Sequence, residues 1–446
     1  MKRVISLLLA AVLICLLLGG CKKEAAVPLK VFSGSDLQML TADSISDLRK
    51  DVRGTYWEIA VAEAVRILAA QTGVTAEEAQ KNLLTGGYTL YTAFDQSAYN
   101  ALKAAYEAQG GGLQTGMALT DLEGRLLAVF SSGNNTNYAA TPAAPYSALK
   151  PLSVYAQAFE KDLIQWNSFY EDSPYKKVEN EDGIQENWPV NPTKQYLGKQ
   201  VNIAYAVSRS LNTVAVKCLA DVGVENSMEF LSQKLGIDLD IEKYTAQIYG
   251  TEEVIGNIAL GYLDTGVSPV DMAGYYQMFA NGGKYQAPAA VRKLCGPDGT
   301  VLYERSYAPE QVLRPVTAQL MNQLLQQVVT VGTGRDAACG NIQVAGKTGT
   351  GDDNSGNWFV GVTPGYSCAV WHGNAEANRA DAIFAAAVRN LYAAQPGANR
   401  NFVTYANLQQ IVCCAESGAP IGDKCTTIEV CYFVPKTEMQ TCQAHG

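Results

Sequence analysis

Histidine is nearly absent from this chain of 446 residues, which contains only His372 and His445. So few histidines argue against a His-based zinc site and against a Ser-His-Asp catalytic triad. Charged residues are also sparse, at 17% of the chain, and the net charge is −9. An acidic, sparsely charged chain is a poor electrostatic match for a polyanion, so the composition argues against nucleic-acid binding. What remains is a chain that is 48% hydrophobic and can bury a large core.

A hydrophobic run long enough to cross a membrane is also missing at the N-terminus. The apolar run Val4–Leu18 is shorter than the about 20 residues that span a bilayer. Basic residues precede it, as in a secretory signal peptide. The run ends in Leu18-Gly19-Gly20-Cys21, which resembles the lipobox of bacterial lipoproteins. The resemblance implies a lipoprotein signal peptide over residues 1–20 and lipidation of Cys21, which would anchor the chain at the extracytoplasmic face of the cell membrane. A single uncleaved N-terminal membrane anchor is the alternative.

Cysteine, in contrast, is abundant at the C-terminus. The chain has eleven cysteines, and those beyond residue 412 are Cys413, Cys414, Cys425, Cys431 and Cys442. In an oxidising compartment such density predicts disulfides that staple a small Cys-rich tail over residues 397–446. A metal site is the alternative, but CxxC pairs are absent, so we expect disulfides and neither a bound metal nor a cofactor. The five cysteines would leave one unpaired, and the pairing cannot be read from the sequence.

Two segments precede the main domain. Residues 21–54 are polar and mixed in charge without clear periodicity, which predicts a membrane tether. Residues 55–112 carry an apolar helical pattern and the capping-box sequence Thr75-Ala76-Glu77-Glu78, which predicts a helical linker subdomain. The triple glycine Gly110-Gly111-Gly112 ends this segment.

Strand patterns lie at both ends of a long helical block. Met117–Phe130 has the pattern of a β-hairpin, and strand character returns over residues 342–371. Between them, residues 147–331 are mainly helical in pattern. Strands at both ends of a helical block predict one α/β (α+β) domain over residues 113–396, with a sheet that the C-terminal part completes.

Because histidine is scarce, a serine activated by a lysine is the remaining arrangement of nucleophile and base. Ser147 and Lys150 open an amphipathic helical pattern, and residues three apart share one helix face, so both side chains can reach one cleft. Burial and a nearby cation would lower the pKa of the lysine and let it act as a base. A second copy of this spacing, Ser173 and Lys176, lies in an acidic stretch with no apolar face, and we interpret it as a loop.

Two further motifs follow in order. Ser210-Leu211-Asn212 places a polar pair inside a largely apolar helical stretch, where it would face either solvent or a cleft. Lys347-Thr348-Gly349, followed by Thr350, lies on a predicted strand, where glycine and threonine suit close approach of a ligand to the backbone. The order S-x-x-K, S-x-N, K-T-G resembles the motif order of penicillin-binding proteins and serine β-lactamases.

The resemblance extends beyond these motifs, over about residues 60 to 375. Met117–Phe130, Ile258–Gly283 and Trp358–Gly361 are similar to segments of the transpeptidase domain of bifunctional, class A penicillin-binding proteins. The resemblance implies a β-lactamase/transpeptidase-like fold, with an antiparallel sheet of about five strands flanked by helices and a large helical subdomain. Too few residues lie between Cys21 and Gly112 for that family's transglycosylase domain, so we expect a chain that lacks it.

The resemblance also implies roles for the residues of the first two motifs. Ser147 would be the acylated nucleophile and Lys150 its general base. Ser210 would relay a proton to the leaving amine, and Asn212 would position the substrate peptide and Lys150. These four residues are the expected catalytic group, together with Lys347.

The third motif would bind the substrate. The resemblance implies that Lys347 supplies positive potential and that Thr348 and Thr350 bind the terminal carboxylate, with Gly349 beside them. The backbone N–H groups of Ser147 and Thr350 would form the oxyanion hole.

The implied substrates are peptidoglycan stem peptides that end in D-Ala-D-Ala, and β-lactam antibiotics would react at the same serine. The implied activity is a D,D-transpeptidase that cross-links glycan strands supplied by a separate polymerase. A D,D-carboxypeptidase or endopeptidase with the same site, and a penicillin-binding sensor or scaffold without turnover, are the alternatives. A β-lactamase is disfavoured because no Glu-x-x-Leu-Asn stretch lies between Asn212 and Lys347.

Overall fold

The centre of the protein is an antiparallel sheet of five strands. The computed structural model describes residues 26–34, 39–133, 135–179, 182–239, 252–351, 356–373, 379–435 and 439–445. The sheet order is Ala345–Thr350, Asn357–Val362, Tyr366–His372, Thr115–Asp121 and Leu126–Ser131. The predicted sheet of about five antiparallel strands, closed by the C-terminal part of the domain, is therefore confirmed.

Helices cover the central sheet. The helices Gln96–Gln109 and Ala380–Ala393 pack against each other and against the sheet, and Pro269–Tyr276 packs on its three middle strands. Every residue of Asn357–Val362 is buried, as expected for a strand covered on both faces. Pro269–Tyr276 begins after Ser268, which forms a capping box with Asp271.

A second, mixed sheet contains the most N-terminal of the described residues. Its order is Val301–Glu304, Val291–Cys295, Thr89–Thr92, Leu29–Phe32 and Met39–Ala42, with Leu29–Phe32 parallel to Thr89–Thr92. The structure thus differs from the tether predicted over residues 21–54, since residues 29–32 and 39–42 are strands of this sheet, with Leu29, Val31 and Ala42 buried. Strands of four residues are too short to give a periodic signal, which is why the sequence pattern missed them.

The segment predicted as a helical linker, residues 55–112, shares the core of the main domain. Its helices are Gly54–Thr72, Ala76–Thr85 and Gln96–Gln109. The Tyr56 hydroxyl donates to the carbonyl of Leu126 in the central sheet (2.8 Å). The carboxylate of Glu63 accepts from the N–H groups of Ala290 and Val291 (2.8 and 3.1 Å). Contacts therefore cross the boundary predicted at residue 112.

The helical middle is shorter and more interrupted than its sequence pattern predicts. Two-stranded ribbons break it, namely Phe169–Glu171 with Gln200–Asn202, Lys176–Glu179 with Gln185–Trp188, and Lys284–Tyr285 with Glu310–Gln311. The tail adds the ribbon Gln409–Cys414 with Ile428–Phe433. The remaining helical segments are Ile45–Lys50, Tyr146–Ala148, Pro151–Tyr155, Ala156–Glu160, Ile203–Ser208, Asn212–Val222, Val224–Glu229, Phe230–Lys234, Glu252–Leu260, Gln277–Phe279, Pro315–Thr330 and Arg335–Ala337.

The predicted anchor falls where nothing is described. Residues 1–20 and Cys21, to which the signal peptide and lipidation are assigned, lie outside the described residues. Within the described ranges, no single helix has the length and apolarity needed to cross a bilayer. The helices Gly54–Thr72 and Ala76–Thr85 meet that criterion only as a pair, with a bend of 109° between them.

The mixed sheet predicts that the N-terminal strand contributes to stability. Val31 is buried in that strand, whereas the neighbouring Lys30 is exposed. We expect Val31→Asp to lower the free energy of unfolding by about 3 kcal/mol, because it buries a carboxylate without a partner. Lys30→Asp, the matched control, should change it by less than about 1 kcal/mol. Thermal unfolding followed by circular dichroism measures both, and equal midpoints for the two variants would contradict the assignment of this strand.

Candidate active site

Ser147 lies on a tight helical turn whose preceding residue has an unusual backbone conformation. Tyr146 has φ of +49°, a region that bulky residues rarely adopt. Its N–H donates to the carbonyl of Gly261 at 3.0 Å, and its ring packs edge-on against Tyr262. A Cβ on Gly261 would lie 2.1 Å from the Tyr146 carbonyl oxygen, so only glycine permits this approach. The surrounding chain therefore holds the turn that carries Ser147 in a strained shape.

Lys150 is completely buried behind this turn. Its Nζ donates to the carbonyl oxygen of Ser210 (2.9 Å) and to Oδ1 of Asn212 (2.6 Å). Burial is the main cause that lowers the pKa of Lys150 well below its usual range, and the positive charge of Lys347 lowers it further. The first motif is thus joined to the second by two hydrogen bonds from one lysine.

Lys347, which belongs to the third motif, also contacts Ser210. Its Nζ donates to the hydroxyl of Ser210 at 2.9 Å and to the carbonyl of Thr348 at 3.1 Å. Lys347 is also fully buried, and burial lowers its pKa to about 7. Ser210 has φ of +59°, so this junction also lies on left-handed backbone. Ser210 therefore contacts both lysines, Lys150 through its carbonyl and Lys347 through its hydroxyl.

The strand Ala345–Thr350 packs closely against the serine turn. A Cβ on Gly349 would lie 2.4 Å from the carbonyl oxygen of Pro145, so the glycine lets the strand touch the turn. The sequence interpretation expected Gly349 to admit a ligand. In the structure the group that approaches it is part of the same chain. Thr348 is nearly buried, and its hydroxyl bonds to that of Thr333 at 2.7 Å, whereas Thr350 is exposed.

The motif residues converge on one cavity of about 410 Å³. The predicted residues that line it are Ser147, Ser210, Asn212, Thr348 and Thr350. Lys150 and Lys347 lie behind its wall, each attached to Ser210. Gly349 is outside the lining and acts in packing. The second S-x-x-K copy lies elsewhere: Ser173 accepts from Lys217 (2.9 Å), and Lys176 begins a ribbon strand.

Sequence reasoning missed the group that positions Asn212. The helix Asn212–Val222 has no side-chain cap of its own. Oδ1 of Asn191 takes that place, since it accepts from the N–H groups of Asn212 (2.9 Å) and Thr213 (3.3 Å). Asn191 in turn donates to the buried carboxylate of Asp172 (2.7 Å), which also accepts from the Thr213 hydroxyl (2.6 Å).

No local pattern could have identified this group, because Asp172 lies in the acidic stretch interpreted as a loop and Asn191 lies 19 residues further along the chain. Thr333 was also missed as a lining residue. Its N–H donates to the carbonyl of Ser208 at 3.1 Å, which ties it to the chain leading into Ser210.

Known proteins share sequence and fold with this chain. The family model described as the penicillin-binding protein transpeptidase domain matches residues 109–393. Penicillin-binding protein 1A of Clostridium botulinum is 34% identical over 252 residues, which are 55% of this chain and 29% of the relative. Penicillin-binding protein 1A of Clostridium acetobutylicum is 31% identical over 336 residues, which are 69% of this chain and 40% of the relative. The chain thus matches well under half of the length of these curated relatives.

Solved structures share the fold at low identity. The D,D-transpeptidase domain of the peptidoglycan glycosyltransferase from Eggerthella lenta superposes with a TM-score of 0.59 at 17% identity, covering 83% of this chain and 99% of that one. Penicillin-binding protein 1A from Haemophilus influenzae superposes with a TM-score of 0.66 at 16% identity, covering 85% and 76%. The predicted fold class and resemblance are confirmed, and the chain belongs to the penicillin-binding protein transpeptidase family.

Proposed function

We propose that this chain is a serine D,D-transpeptidase that cross-links peptidoglycan stem peptides through an acyl-enzyme on Ser147. One observation carries the proposal: two buried lysines, Lys150 and Lys347, both bond to Ser210 beside the cavity that Ser147 lines. Two ammonium groups that are buried and contact the same residue cannot both stay charged without a large free-energy penalty. One of them is therefore poised as a neutral base, which is what a serine nucleophile requires in a site without histidine.

Lys150 is the base in this proposal. A neutral amine has two N–H groups and one lone pair, and the two N–H groups are used by Ser210 and Asn212. The lone pair can accept the Ser147 proton as Oγ attacks the carbonyl carbon of the penultimate D-Ala. The backbone N–H groups of Ser147 and Thr350 would hold the resulting oxyanion.

Lys347 and Ser210 act on the leaving group. Collapse of the tetrahedral intermediate breaks the C–N bond, and the terminal D-Ala nitrogen takes the proton that passes from Lys150 through the hydroxyl of Ser210. Lys347 bonds to that hydroxyl and places positive potential near Thr348 and Thr350, which bind the substrate carboxylate. An amine from a neighbouring strand then attacks the ester on Ser147, forms the cross-link and regenerates the serine.

The setting of the enzyme is part of the proposal. A lipid on Cys21 would place the chain on the extracytoplasmic face of the cell membrane, next to its polymeric substrate. A separate glycan polymerase would supply the strands. β-Lactam antibiotics would acylate Ser147 as substrate analogues.

The first test is covalent labelling with a fluorescent penicillin. Ser147→Ala removes the nucleophile, so we expect the acylation rate to fall at least about 10³-fold. Ser173→Ala is the matched control, because it removes the serine of the second S-x-x-K copy, which bonds to Lys217 outside the cavity. It should label like the wild type. Labelling is read by gel fluorescence and intact mass, and full labelling of Ser147→Ala would refute the assignment of the nucleophile.

The second test separates turnover from simple acylation. A pentapeptide ending in D-Ala-D-Ala is offered with and without an amine acceptor, and D-Ala release and cross-linked product are measured. A transpeptidase releases D-Ala and forms product with the acceptor. Release without product would instead indicate a D,D-carboxypeptidase, and labelling without any release would indicate a sensor or scaffold.

The third test is the pH dependence of penicillin acylation. Below the lowered pKa of Lys150 the base is protonated, so the rate should rise with pH as Lys150 loses its proton. Lys347 loses its charge as pH rises through about 7, which should weaken binding of the penicillin carboxylate and lower the rate again. A penicillin methyl ester has no carboxylate, so its profile should keep the acid limb and lose the alkaline limb. Identical profiles for acid and ester would argue against this role of Lys347.

A further inference from the structure

The C-terminal tail is a small ribbon with little core of its own. Its two strands, Gln409–Cys414 and Ile428–Phe433, expose apolar side chains such as Val412, Ile428 and Val430. A segment of this size buries little apolar surface of its own, and such small segments commonly gain stability from a disulfide or a metal. Disulfides are not the staple here: the cysteines within the described residues, those of the tail included, are free thiols. The structure thus differs from the predicted disulfide-bonded tail.

Four potential metal ligands meet in this tail. They are Cys414 at the end of the first strand, Cys425 in the connection, and Cys442 and His445 near the C-terminus. Their ligand atoms all lie within 4.8 Å of one another. Nδ1 of His445 is 3.7 Å from Sγ of Cys414 and 3.6 Å from Sγ of Cys425 and of Cys442. Residues far apart in the chain thus direct three sulfurs and one nitrogen at a common point.

The distances from Nδ1 of His445 to the three sulfurs match a tetrahedral zinc centre. Zn–S bonds of about 2.3 Å and Zn–N bonds of about 2.0–2.1 Å at tetrahedral angles place the nitrogen about 3.6 Å from each sulfur. The three N···S distances agree with that value. Hydrogen bonding alone would not require all three distances to be nearly equal, so their similarity favours a metal site. A set of three thiolates and one imidazole is also a donor combination that selects Zn²⁺.

Groups around the cluster orient the ligands as they do in metal sites. Nε2 of His445 lies 3.0 Å from Oε2 of Glu416, which fixes the ring so that Nδ1 faces the three sulfurs. The Ser417 hydroxyl donates to Sγ of Cys442 (3.1 Å), and the N–H of Gly422 donates to Sγ of Cys425 (3.3 Å). Hydrogen bonds to sulfur stabilise thiolates, which are the form that binds metal.

We propose that Cys414, Cys425, Cys442 and His445 bind a structural Zn²⁺ ion that holds the C-terminal tail together. The site replaces both sequence expectations for the tail, disulfide stapling and the absence of a metal. It also accounts for the odd number of tail cysteines, because three bind the metal and the other two, Cys413 and Cys431, lie buried on the facing strands. All four ligand positions are filled by protein, so the role is structural and not catalytic.

The C-terminal tail packs against the segment that leads to Ser210. Tyr432 packs edge-on against Trp166, and Nδ2 of Asn167 donates to the carbonyl of Gly418 (2.9 Å). Glu429 accepts from Nδ2 of Asn202, whose Oδ1 caps the helix Ile203–Ser208. The metal therefore supports a surface next to the candidate active site without entering it.

The test measures zinc in the full chain purified without chelator. Elemental analysis should find about one zinc per chain in the wild type, as expected for one closed site. His445→Ala and Cys425→Ser change partly exposed positions outside the core of the main domain, and both should lose most of the metal. Cys413→Ala is the matched control, because it removes the cysteine adjacent to Cys414 outside the cluster, and it should keep the zinc. Replacement by Co²⁺ should give the visible absorption of tetrahedral thiolate coordination in the wild type and not in His445→Ala.

Two results would overturn the zinc site. One is zinc content that is equal in the wild type, His445→Ala and Cys425→Ser. The other is a zinc-free wild type in which peptide mass mapping finds a disulfide between any two of Cys414, Cys425 and Cys442. Penicillin labelling of Ser147 is measured on the same samples, and it is a separate readout because no zinc ligand lines the cavity.

Discussion

The burial of two lysines against one serine is the constraint on which the rest of the candidate site depends. Lys150 and Lys347 lie fully inside the protein and both bond to Ser210. Removing an ammonium group from water is costly, so each lysine is held by hydrogen bonds at fixed positions, and burial shifts its pKa downward. The chemistry proposed for Ser147 follows from this desolvation, since a solvated lysine would stay protonated at neutral pH.

Close backbone contacts keep the three motifs in place around that pair. Gly261 lies against the carbonyl of Tyr146, and Gly349 lies against that of Pro145. Each glycine thus brings a distant segment within contact of the turn that carries Ser147. The strained conformations of Tyr146 and Ser210 persist because the packed segments around them leave no relaxed alternative. Backbone packing therefore fixes the positions of the cavity residues as much as side-chain hydrogen bonds do.

Motif spacing and capping signals could be read from the sequence because they are local. The cap at Thr75, the hairpin after residue 115 and the three motifs all rest on residues within a few positions of each other. The convergence of the motifs followed from a family resemblance and not from periodicity. What the sequence could not indicate depends on distant partners: the four-residue strand Leu29–Phe32, the cap that Asn191 provides for Asn212, and the ligands that surround His445. The scarcity of histidine argues against a catalytic triad, but it does not exclude the single imidazole of the thiolate site proposed for the tail.

The strand order of the central sheet sets the order in which the chain can fold. Thr115–Asp121 pairs with Leu126–Ser131 on one side and with Tyr366–His372 on the other. The first hairpin therefore lacks the strand that pairs with Thr115–Asp121 until residues 366–372 have been synthesised, after most of the domain. Such long-range pairing slows folding, because the entropy of closing a long loop is lost before the contacts form. Topology alone thus delays formation of the cavity until the strand Ala345–Thr350, which carries the lining residues Thr348 and Thr350, can pair with Asn357–Val362.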